Sequence, residues 1–132
     1  MGMKVYFPGN KKVYADFNGF TVQTDQPIYG GGEGTAPAPF DMFLASLATC
    51  AGIYVKGFCD SRGISAEGIT LEQELDYDRS RGRISKIYLD IKVPESFPEQ
   101  YYDALVRSAS QCAVKKTLQD PPEFEIKTVV NK

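Results

Sequence analysis

An α+β fold is predicted by three features of this 132-residue chain. Asn18-Gly19 separates two β-rich runs, a long apolar helical stretch begins at Pro39, and two more strand-like runs precede a second helical region. The length suits one domain covering residues 1–132, enough to bury a core but short for two independent ones.

The N-terminal third reads as strands at Val5-Tyr6-Phe7, Lys12 to Phe17 and Phe20 to Asp25. Asn18-Gly19 marks a tight hairpin, because both turn positions need positive φ. Gln26 to Pro39 is rich in Gly and Pro and reads as a connector without regular structure. From Phe40 to about Ser61 a helix is expected: Pro39 suits its entry, Asp41 complements the dipole of the first turn, and Gly63 suits a stop. The stretch to Val55 is almost wholly apolar, so both helix faces should be covered, by sheet or by another subunit. Ile69 to Asp78 and Arg83 to Val93 read as a second hairpin, the latter alternating Ile87, Leu89, Ile91 and Val93 with polar residues. Pro98 to Leu118 reads as helical with a break near Ser108-Ala109-Ser110, where a serine cap would leave Cys112 in the first turn of a new helix. Beyond Pro121-Pro122, Phe124 to Val130 alternates as a final strand.

Composition excludes several chemistries. A formal net charge of -2 argues against a nucleic-acid or anionic-membrane binder. No apolar run approaches the roughly 18 residues a bilayer span requires, and Met1-Gly2-Met3-Lys4-Val5 lacks a signal-peptide core, so a cytoplasmic location without membrane attachment is expected. The absence of histidine removes Ser-His-Asp and Cys-His nucleophiles and His-ligated metals. Three cysteines without CxxC spacing argue against a thiolate zinc site, so no metal is expected. Gly30-Gly31-Gly32-Glu33-Gly34 lacks the Lys-Ser/Thr ending of a phosphate cradle. Arg79, Arg81 and Arg83 fit a solvated hairpin tip.

Chemistry therefore concentrates on the cysteines. Cys50 ends the run Ala45-Ser46-Leu47-Ala48-Thr49-Cys50, and Cys112 lies in Ser110-Gln111-Cys112-Ala113-Val114. Cys50 and Cys59 share the predicted helix but point to opposite sides, about 180° apart and roughly 13 Å along it, and cannot pair. A disulfide, if one forms, is expected between Cys50 and Cys112, which lie on separate helices, leaving Cys59 spare. Burial of all three as small hydrophobes fits the residues equally well. A helix N-terminus at Cys112 would lower its pKa, whereas Cys50, in mid-helix, needs a nearby cation or hydrogen-bond donor. Phe43 and Tyr54 project within about 40° of Cys50 on a helical wheel and, with Phe40, are candidates to line an apolar pocket around its sulfur.

The segment from Gly32-Glu33-Gly34 through Pro37-Ala38-Pro39-Phe40-Asp41 to Cys50, with Cys112-Ala113-Val114 downstream, resembles the OsmC/Ohr family of osmotically induced and organic-hydroperoxide-resistance proteins. The order of elements matches that family as well. The resemblance implies an intertwined homodimer with long helices at its core and active sites at the interface. It further implies a thiol peroxidase acting on small hydrophobic hydroperoxides: Cys50 attacks the peroxide, Cys112 resolves the sulfenic acid, and an external dithiol reductant resets the enzyme without a bound cofactor. Family peroxidases use an N-terminal arginine and a glutamate near the start of the cysteine helix. Here the first arginine is Arg62, the N-terminal cations are Lys4, Lys11 and Lys12, and Asp41 and Glu33 are the candidate carboxylates. That departure favours a rival expectation on the same fold, a non-catalytic binder of hydrophobic ligands or a redox-responsive protein.

Overall fold

The computed structural model describes residues 2–131. Five strands and three α-helices are formed among them: β1 (Lys4–Gly9), β2 (Lys12–Phe17), β3 (Phe20–Thr24), α1 (Pro39–Ser61), β4 (Thr70–Asp78), β5 (Arg83–Lys92), α2 (Tyr102–Ala109) and α3 (Ala113–Gln119). Both sheets are antiparallel, one ordered β1-β2-β3 and the other β4-β5. The predicted α+β class holds. The chain divides at Ser46/Leu47, within α1, into two compact units.

In the first unit the β2–β3 hairpin turns at Asn18 and Gly19, with φ of 49° and 79°, the left-handed pair that its strand twist demands. Strand β3 stops at Thr24, one residue before the expected Asp25. Asp25 instead turns its fully buried carboxylate onto the connector: it accepts from Gln26 N at 2.7 Å, Thr35 N at 3.1 Å and Thr35 Oγ1 at 2.6 Å. As expected, the connector forms no strand or α-helix, but these bonds hold it in a defined path. A short 3-10 turn at Ile28–Gly30 and the bond from Gly34 N to Gln26 O close it on itself. A Cβ on Gly32 would lie 2.0 Å from the Gln26 carbonyl oxygen, so only glycine fits there.

In the second unit a core forms from Leu47, Ala51, Val55, Phe58 and Cys59 of α1 with Phe97, Leu105, Ala109 and Cys112. Leu71, Ile87, Leu89 and Ile91 of β4 and β5 pack against it. Spacings of three and four residues place the α1 members on one stripe. Gly63, at φ 64°, ends α1, and Ile64 N returns to the Cys59 carbonyl at 2.9 Å.

Within the single chain one side of α1 stays open, Ile53 being 64% and Tyr54 39% exposed, so the sheet covers only part of it and the rest of the expected cover falls to another subunit. Two expectations are corrected. By length and composition alone α1 could cross a membrane, with mean hydropathy 1.5 and 28% of that window buried, which amends the estimate that no run comes near this length. Phe124 to Val130 forms no strand; Phe124 is 84% and Ile126 93% exposed. Alternation supplies two faces, but a strand also needs a neighbour for its N–H and C=O groups, and the described chain pairs none with this segment.

Candidate functional site

Cys50 lies on α1 and Cys112 caps α3, so the break after α2 falls at 110–112 and neither serine caps the new helix. Ser110 Oγ instead donates back to Val106 O at 2.9 Å. The Cys112 sulfur accepts from Lys115 N at 3.5 Å and donates to the Leu47 carbonyl at 3.7 Å. The structure also brings Cys112 into hydrogen-bond reach of Cys50, with both thiols free. A thiol carries one hydrogen, so its bonds to Leu47 O and to the Cys50 sulfur are alternatives.

Two different environments split the pair. The backbone N–H of Val114, the Cys112 thiol and the N–H of Ala113 point at the Cys50 sulfur and hold its pKa below the ordinary 9.0. Cys112 is 1% exposed, and burial, reinforced by its bond to Cys50, pushes its pKa up despite the Lys115 N–H. Of the two thiols, Cys50 is thus the one that gives up its proton first. No cation is needed for that polarity. Cys59 is fully buried, and burial foremost raises its thiol, the setting of an inert packing cysteine.

The other sequence candidates have their own surroundings. In the first unit, Glu33 pairs with Lys12, Asp41 is exposed in the first turn of α1, and the rings of Phe40 and Phe43 sit 5.4 Å apart. Tyr54 lines a shallow recess with Ile53, Gly57, Phe58, Ser61, Arg62 and Ser108, in which the Arg62 guanidinium lies 3.9 Å from the centre of the Phe58 ring.

A larger cavity of about 770 Å³ opens on the second unit. Leu47, Ile87, Leu89, Ile91, Val106 and Ala109 give it apolar walls, Cys112 contributes its sulfur-bearing residue, and Lys115, Leu118 and Gln119 bring one side of α3 to it. Neither Tyr54 nor Cys50 lines it. Its size and lining suit a small hydrophobic molecule. Among the described residues no cluster of three or more His, Cys, Asp or Glu side chains could hold a metal ion.

The sequence reading missed the amide donors of Ala113, Val114 and Lys115 and the cavity walls of β5 and α2. Backbone donors leave no mark on residue type; the one available signal was Cys112 standing just before a helix-forming run. It also missed Asp25, for which an aspartate ending a strand before Gln-Pro was a usable sign.

A family model described as OsmC-like protein matches residues 31–127. Solved structures share the fold. A Psychrobacter arcticus protein assigned to osmotic stress and detoxification response superposes with TM-score 0.73 at 23% identity, over 87% of this chain and 85% of that one. The Legionella pneumophila organic hydroperoxide resistance protein OsmC gives 0.57 at 20% identity, covering 89% and 87%. Bacillus subtilis OhrB, an organic hydroperoxide resistance protein, gives 0.53 at 21%, covering 92% and 93%. No curated protein matches in sequence. With the family model spanning most of the chain and the same fold recurring in these relatives, the protein belongs to the OsmC-like family.

Proposed function

We propose that the protein is a cysteine-dependent peroxidase that reduces organic hydroperoxides, with Cys50 as attacking and Cys112 as resolving thiol. The observation that carries this reading is the hydrogen-bonded pair in which Cys50 is shifted toward thiolate and Cys112 toward thiol. The activation that related peroxidases draw from an arginine is supplied here by the N–H groups of Ala113 and Val114 and the Cys112 thiol.

In the proposed cycle the Cys50 thiolate attacks the terminal peroxide oxygen. An S–O bond forms, the O–O bond breaks, and the alkoxide leaves and takes a proton as the alcohol, so sulfur is oxidised and the peroxide reduced. Cys112, as thiolate, then displaces hydroxide from the sulfenic sulfur. An S–S bond forms, the S–O bond breaks, and hydroxide leaves as water. An external dithiol reduces the disulfide by two exchanges. The apolar cavity beside Cys112 takes the organic group of the peroxide. The working unit is a homodimer, a reading supported by the uncovered Ile53, Tyr54, Val5 and Phe7, and its proposed place is the cytoplasm.

The test is to treat reduced protein with stoichiometric cumene hydroperoxide and map its peptides by non-reducing mass spectrometry. A Cys50–Cys112 disulfide is expected, absent in Cys50→Ser, with peroxide consumption there falling by roughly 100-fold or more. Cys112→Ser should stop at a sulfenic acid that dimedone traps. Both thiols remaining reduced would overturn the peroxidase reading. One observation favours a second reading, a non-catalytic carrier of hydrophobic ligands: the cavity is walled by Cys112, whereas the attacking sulfur is not part of its lining. On that reading a fluorescent fatty acid binds equally well to wild type and to Cys50→Ser, and peroxide is not consumed.

A further inference from the structure

We propose that α3 is a redox-released wall of the apolar cavity: dithiol cysteines pin its first turn, and a Cys50–Cys112 disulfide lets it go. The proposal rests on the two thiols being able to join, as in the peroxidase reading, but not on peroxide being the oxidant.

α3 has seven residues and no buried side chain; only Val114 among them packs against the core. A helix this short is marginal in water, so its order depends on what holds its ends. At its N-terminus the holds run to sulfur. Ala113 and Val114 N–H donate to Cys50, Lys115 N–H donates to Cys112, and the Cys112 thiol bonds to the Leu47 carbonyl on α1 or to Cys50. No cap from a serine or an acidic residue in the first turn supplements them.

Oxidation changes every one of these contacts. Two thiols lose two protons and two electrons to the oxidant, leaving one S–S bond and no S–H. The donor to Leu47 O disappears. Cys50 loses any thiolate character and becomes a weak acceptor, so the amide bonds to it from Ala113 and Val114 weaken. Disulfide geometry also draws the Cys112 sulfur onto Cys50, to about 2 Å, and away from its capping position. Because α3 places Lys115, Leu118 and Gln119 on the cavity, its release opens that side. Oxidised protein would thus expel the product and expose the disulfide, and reduction would rebuild the wall.

Hydrogen exchange followed by mass spectrometry tests this on the full chain, reduced or oxidised with stoichiometric diamide, and in parallel with cumene hydroperoxide. Disulfide content is read from the same samples. In the disulfide form, amides of 114–119 should exchange at least ~10-fold faster, while those of β4 and β5 stay unchanged. Cys50→Ser, unable to form this bond, should show no change with either oxidant. Equal protection of α3 in reduced and disulfide-bonded protein would overturn the proposal, and so would failure of both oxidants to join the two cysteines. A disulfide formed by diamide but not by peroxide, with α3 loosened, would uphold the switch and refute the peroxidase.

Discussion

At the residue scale, the decisive property is which of Cys50 and Cys112 gives up its proton first. Val114 N–H, the Cys112 thiol and Ala113 N–H all stabilise the charged form of Cys50, so the thiolate should predominate at a lower pH than for an ordinary thiol. The rate of Cys50 alkylation by iodoacetamide, plotted against pH, should therefore have its midpoint below 9.0. Cys112→Ala removes one of the three donors and should move that midpoint upward. A wild-type midpoint at or above the ordinary value would contradict the hydrogen-bond account. That Cys50 does not pair with Cys59 was legible from helical geometry, because nine residues put the two on opposite sides of α1. Which thiol is activated was not, and the sequence pointed the other way by placing Cys112 in a helix's first turn. As N-cap, Cys112 is buried deeply enough that burial outweighs the amides of Lys115 and Val114, whereas at Cys50 the amides of Val114 and Ala113 and the Cys112 thiol outweigh burial.

At the scale of elements, the glycine-rich connector shows how a buried charge organises a segment without regular structure. Asp25 is fully buried, yet its bonds from Thr35 and Gln26 lower its pKa from 3.8 to about 2. A carboxylate lowered on folding stabilises the folded state above its unfolded pKa, and that contribution fades as pH falls through the folded value. Thermal stability should accordingly decline between about pH 4 and pH 2 through this group. Asp25→Asn should unfold a few degrees lower at neutral pH and lose that share of the acid dependence, read from unfolding midpoints across the range. An unchanged midpoint at neutral pH would show that the connector does not depend on the carboxylate. The hairpins were legible because Asn18-Gly19 and the Ile87, Leu89, Ile91 alternation are local signals. The ordered connector was not, since its bonds join Asp25 to a residue ten positions away.

At the scale of the molecule, apolar surface is left over. Ile53 is 64% exposed in mid-helix, Phe7 80% on β1, and Phe124 and Ile126 stand open beyond α3. A dimer that buries α1 would account for the apolar stretch better than solvent does. Wild type should sediment at twice its 14.6 kDa chain mass, and Ile53→Asp, which alters no core contact of the second unit, should shift it toward one chain mass. A monomeric wild type would remove the support for interfacial active sites. The α+β class, the two hairpins, the long cysteine helix and the family were legible in the residues alone, because these follow from local turn chemistry, periodicity and a contiguous motif. Which backbone amides meet the Cys50 sulfur, the cavity beside Cys112 and the unpaired course of Phe124 to Val130 emerge from the folded arrangement. Those outcomes depend on groups distant in sequence meeting in space, and on backbone donors that are the same in every residue but proline.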